Sequence, residues 1–134
     1  MEILERAAAA GTQLLRAELQ PSGGAGDGVA AVLLTFDLGR VLLHVDPGTG
    51  LLAEHLLDAG DATPATLVIA DEEEPWWRVL GSPLVRALEI NPGQGVVGVA
   101  LQFRADADNP RRIAILARGE GLTVQLQQPS PPPE

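Results

Sequence analysis

One pattern occurs twice in the chain, and it limits the fold more than any other feature. Gly28-Val29-x-x-Val32-x-Leu34-x-Phe36 returns 67 positions later as Gly95-Val96-x-x-Val99-x-Leu101-x-Phe103. Arg40-Val41-Leu42-Leu43 is answered by Arg112-Ile113-Ala114-Ile115, and Gly48-Thr49-Gly50-Leu51 by Gly119-Glu120-Gly121-Leu122. The spacing grows to 72 and then 71 because Asp106-Ala107-Asp108-Asn109-Pro110 lengthens the second copy's hairpin loop. Order and spacing held over this length read as an internal duplication, although hydrophobic strand patterns converge readily and two copies are fewer than a repeat array provides.

Period-two alternation marks the repeated segments as strands. Val32, Leu34 and Phe36 share one face, as do Val99, Leu101 and Phe103, and these faces are the expected core. Upstream of each lies a leucine-containing segment, Leu14-Leu15-Arg16-Ala17 and Leu84-Val85-Arg86-Ala87, which reads as helical. Ser82 serves as N-cap and Pro83 as first helical residue of the second. The N-terminal helix would carry Leu4, Ala7, Ala8, Gly11 and Leu15 on one face. Between the copies, Thr66-Leu67-Val68-Ile69-Ala70 suggests an extra strand, and Pro75 to Leu80 a helical turn stopped by Gly81. The expected fold is therefore α+β: a duplicated α-β-β-β unit forming a mainly antiparallel sheet of six to seven strands with two principal helices. A single domain spans residues 1–128, with pseudo-repeats 1–57 and 82–128 and a connecting segment 58–81. A Pro-rich tail, 129–134, is expected to be disordered and outside the fold.

With 134 residues, 46% of them hydrophobic, one domain with a real core is within reach. The absence of cysteine removes disulfides, thiolate metal sites and cysteine nucleophiles, and fits a reducing, cytoplasmic setting. The N-terminus has no secretory-signal pattern, and no stretch has the length and apolarity of a membrane helix. Net charge is −9 and all the basic residues are arginine, a composition typical of GC-rich bacterial coding. With only Arg111-Arg112 as a basic pair, nucleic acid is set aside as a partner. An acidic surface instead favours a basic protein partner.

Gly93-Gln94-Gly95-Val96-Val97-Gly98 has the spacing of a dinucleotide motif, but it leads from a predicted helix into a strand, the reverse of what places a helix N-terminus on a pyrophosphate. Asp106-Ala107-Asp108-Asn109 opens like a calcium loop, yet Arg111 and Ala117 stand where the turn glycine and the bidentate glutamate belong. No cofactor and no metal is expected. His44 and His55 should fall diagonally on one face of neighbouring strands, but two imidazoles make a poor zinc site and no serine is placed for either to activate. Both tryptophans of the chain, Trp76 and Trp77, follow Glu72-Glu73-Glu74. In one reading an indole plugs the core while the acids cap a helix N-terminus; in the other an indole exposed beside the acids forms a protein-binding anchor.

The run Pro75-Trp76-Trp77-x-x-Leu80-Gly81, followed by Asn91-x-x-x-Gly95 and Leu101-x-Phe103, in the second half of the chain, resembles small bacterial families of unknown function, some of which are similar to toxin-immunity proteins. The expected order of elements also resembles type III secretion chaperones, which are small and acidic. Acidity, small size, the tryptophan pair and the absence of a catalytic constellation point to a non-enzymatic, cytoplasmic protein-binding module of immunity or chaperone type, with Glu72, Glu73, Glu74, Trp76 and Trp77 as its candidate site. The alternative is a small-molecule-binding domain whose apolar pocket lies between the two halves, with Phe36, His44, His55 and Phe103 as possible ligand contacts.

Overall fold

A computed structural model describes residues 2–21, 29–37, 39–46, 48–57, 67–72, 76–93, 95–103, 111–118 and 121–127. One helix, α1 (Glu2–Ala10), is followed by β1 (Leu14–Pro21), β2 (Val29–Phe36), β3 (Gly39–Val45), β4 (Leu52–Leu57) and β5 (Val68–Ile69). After a 3-10 turn at Trp76–Arg78 come β6 (Leu84–Ile90), β7 (Gly98–Phe103), β8 (Arg111–Arg118) and β9 (Gly121–Gln127). All the strand pairings are antiparallel.

The α+β expectation with two principal helices is therefore wrong: the protein is essentially all-β, with nine strands and one short helix among the described residues. Each unit is a meander of four strands, β1-β2-β3-β4 and β6-β7-β8-β9. The error has a local cause. Leu14 and Ala17 are buried while Leu15 and Arg16 are exposed, and Leu84, Val85, Arg86 and Ala87 repeat this. An i, i+3 burial pattern reads as helical, but here a β-bulge produces it. The register slips between Leu14 and Arg16, and again between Leu84 and Arg86, so Leu15 and Val85 are the extra residues of two matching bulges. Helix α1 stops instead at Gly11, whose φ of 64° suits a glycine C-cap, and Leu15 is not part of it. Pro83 opens no helix; it pairs with Gln13 in an isolated antiparallel bridge.

That bridge marks a pseudo-twofold axis. Leu14 N–H donates to Ser82 O at 3.2 Å, and Leu84 N–H donates to Thr12 O at 2.8 Å, so each bond is the other's mate under the 70-residue offset. A second matched pair joins the far ends of the meanders: Val29 bridges Leu122, and Leu52 N–H donates to Val96 O at 2.9 Å. The sheet curls around one hydrophobic cluster. It takes Val32, Leu34 and Phe36 from β2, Val99, Leu101 and Phe103 from β7, and Leu4, Trp76 and Val79 from outside the meanders. None of these nine side chains is more than 2% exposed.

Helix α1 precedes β1 in the chain, yet it packs on β6 and β4. The Glu54 carboxylate of β4 accepts from the N–H groups of Ile3 (2.9 Å) and Leu4 (3.2 Å), which satisfies donors at the helix N-terminus and complements its dipole. The 3-10 turn precedes β6 and is slung from β1. On one side Ala70 N–H donates to Ala17 O, and on the other Gly81 N–H donates to Leu14 O. Each meander is thus contacted by the element that precedes the other one in the chain.

Candidate functional site

The segment that does not repeat is held to β1 by a small set of contacts. Asp71 Oδ1 accepts from Ala17 N–H at 2.9 Å, and Asp71 Oδ2 lies 3.4 Å from Arg16 Nε. Just after the bulge at Leu15, the Asp71 carboxylate thus accepts from a β1 N–H as a neighbouring strand's carbonyl would. Further along, Glu18 pairs with Ile69 and Leu19 with Val68.

The two tryptophans part at the 3-10 turn. Trp76 is fully buried in the core cluster, whereas Trp77 is 50% exposed. Adjacent residues on so tight a turn point in different directions, so burying the first indole fixes where the second is displayed. Val79 is buried beside Trp76 in the cluster, and Gly81 (φ 77°) ends the turn as Gly11 ends α1. Glu72 is exposed. Glu73 and Glu74 lie outside the described residues, as do the tail 129–134 and the loop Asp106-Ala107-Asp108-Asn109.

The residues proposed for a small-molecule pocket divide between the two faces of the sheet. Phe36 and Phe103 face the core, at 2% and 0% exposure, within the same cluster as Trp76. His44 and His55 occupy the opposite, outer face of the β3–β4 hairpin: Leu43 is buried, and its neighbour His44 points away from it. The imidazoles stack with centroids 4.9 Å apart and planes 9° from parallel. His44 Nδ1 lies 3.1 Å from the Val45 carbonyl oxygen; since a carbonyl only accepts, Nδ1 carries the proton. Glu54, between these strands' histidines in sequence, faces inward to cap α1 and is not available to them. Among the described residues no three His, Cys, Asp or Glu side chains gather as metal ligands. Ser82, the one described serine, lies on the pseudo-twofold axis, where its carbonyl accepts from Leu14 N–H.

Sequence reasoning missed the apolar exposure around this segment. Val68 and Ile69 are 52% and 54% exposed, and the bulge residues Leu15 and Val85 are 50% and 49% exposed. The signal was present: Val68-Ile69 has no counterpart in the repeat, so no second copy requires it for the core. Among the described residues no helix is long and apolar enough to cross a membrane. No family profile, no curated protein and no solved structure matches the chain.

Proposed function

We propose that the chain is a non-enzymatic, cytoplasmic module of bacterial type that binds a protein partner, as toxin-immunity proteins do; the likeness to secretion chaperones rested on a two-helix order that β1 and β6 replace. The observation that carries this reading is the divided tryptophan pair. Trp76 anchors the turn in the core, and Trp77 stands half-exposed on it, a few residues after the exposed Glu72. A large amphipathic side chain on an element already ordered before binding loses little entropy on docking, which is how tryptophan hot spots gain their weight. The net charge of −9 favours a basic partner and speeds its approach.

The test is a pull-down with the full chain and its Trp77→Ala variant, followed by rebinding of the recovered partner in purified form. Loss of at least tenfold in affinity with an unchanged melting temperature supports the reading. Equal capture by both proteins, or no purified partner that rebinds, overturns it. Trp76→Ala is unsuitable as the binding probe, because it removes a core side chain.

A further inference from the structure

We infer that β5 is a docking edge, and that it accepts an extended segment of a partner protein as an added antiparallel strand, with an apolar residue opposite Ile69 and basic residues preceding it. This rests on the protein-binding reading above but not on the Trp77 anchor.

The phase of the hydrogen bonds shows which backbone groups are on offer. Ala70 N–H bonds to Ala17 O, so Ala70 and Val68 turn their backbone groups toward β1. In an antiparallel ladder the residue between them faces away, so the N–H and carbonyl of Ile69 point outward. Among the described residues β5 pairs with β1 alone, which leaves this edge unpaired. Both β5 side chains are more than half exposed. Soluble proteins usually protect an edge with charge, proline or cover; β5 is protected only by being short.

The internal repeat argues against a purely structural role for the edge. On the other meander, β6 has helix α1 packed on it instead of an additional strand. The curled sheet can therefore be completed without a strand at this place, and β5 is the element that differs.

Charge selects the occupant. Arg16, the nearby cation, is already opposite Asp71. Among the described residues the charges left along the edge are Glu18, which pairs across the ladder with Ile69, and exposed Glu72, three residues after Ile69. A second copy of the chain also carries a net charge of −9, so self-pairing is disfavoured. Glu72 lies in the turn just past the C-terminal end of β5, and an antiparallel partner strand brings the residues that precede its Ile69-facing residue to that end. Basic residues therefore belong on the N-terminal side of the apolar stretch.

Three synthetic peptides test this on the isotope-labelled full chain: Arg-Arg-Thr-Val-Val-Val-Thr, its order-reversed form Thr-Val-Val-Val-Thr-Arg-Arg, and Glu-Glu-Thr-Val-Val-Val-Thr. Amide hydrogen exchange and chemical-shift changes provide the readout. The expected result is protection of the Ile69 amide by the first peptide, with affinity about fivefold above either of the others, the size of a surface ion-pair effect. Ile69→Lys should reduce that affinity at least tenfold while leaving the melting temperature unchanged, and Glu72→Lys should abolish the preference for the first peptide. Equal binding of all three peptides, protection located elsewhere, or no protection at millimolar peptide overturns the inference. So does Ile69 protection without peptide accompanied by a dimer in sedimentation, which would make a second copy the occupant. If peptides fail but Trp77-dependent capture of a purified partner persists, the edge inference falls and the protein-binding reading stands. If Ile69 is protected as described while Trp77→Ala changes nothing, the edge stands and the tryptophan anchor falls.

Discussion

Helix α1 and the turn at Trp76–Arg78 seal opposite ends of the same curled sheet in different ways. The helix fills its place with two side chains a turn apart, Leu4 and Ala7, which are fully buried, and most of its outer surface is alanine and charge. Its N-terminus depends on Glu54, at the position where the other meander has Val124, since Leu43 pairs with Glu54 as Ile115 pairs with Val124. The turn is three residues long and fills its place with one indole. One plug spreads its burial over regular secondary structure; the other concentrates it in Trp76. The concentrated plug leaves its neighbours Val68, Ile69 and Trp77 at the surface, and that difference is why the recognition surface is assigned to the second end.

The largest expected effect is at that concentrated plug. Trp76→Ala should cost about 3–5 kcal/mol of stability in urea unfolding, the range for truncating a buried aromatic, whereas Trp77→Ala should fall within about 0.5 kcal/mol of the parent. Equal losses would erase the distinction between the two indoles. Gly98→Ala should come next. A Cβ there would meet Ile115 O at 2.8 Å and Leu116 Cδ2 at 2.5 Å, so overpacking of about 1–3 kcal/mol is expected in thermal unfolding. Ala31 occupies the matching position on β2 and is buried without difficulty, so this substitution tests how alike the two meanders are.

Glu54→Ala should lower stability by about 1 kcal/mol, as loss of a helix cap does, and should increase exchange at the Ile3 and Leu4 amides before any others. An unchanged exchange rate would show that the helix does not depend on its cap. Smaller and equal effects are expected at the two stop signals. Gly11→Ala and Gly81→Ala each meet no atom within 4 Å, so each should cost only the left-handed backbone strain of about 1 kcal/mol. A marked inequality would mean that the helix and the turn are not matched in place.

The inward faces of β2 and β7 could be read from alternation alone, because those strands pair on both edges without irregularity in their cores. The segments before them could not, because one extra residue changes period two into an apparent period of three or more. The contacts that join the halves were equally hidden. Thr12 to Leu84 and Ser82 to Leu14 are backbone bonds, to which side-chain identity contributes almost nothing. Glu54 caps a helix about fifty residues earlier, a relation that only tertiary structure creates. At the candidate site, the sequence showed that the tryptophans and acids were unusual and that one indole should be buried, but not which one. The choice follows from the turn's suspension between Ala17 and Leu14.

The central claim is that the exchanged plugs make the two meanders one cooperative unit. Native-state hydrogen exchange at Leu14 and Leu84 tests it most directly, since each amide donates across the pseudo-twofold axis to the other half. The two amides should open with the same free energy, equal to that of global unfolding, and both should weaken together in Trp76→Ala. If Leu84 stays protected while Leu14 exchanges a hundredfold faster, the halves open separately and the claim is wrong.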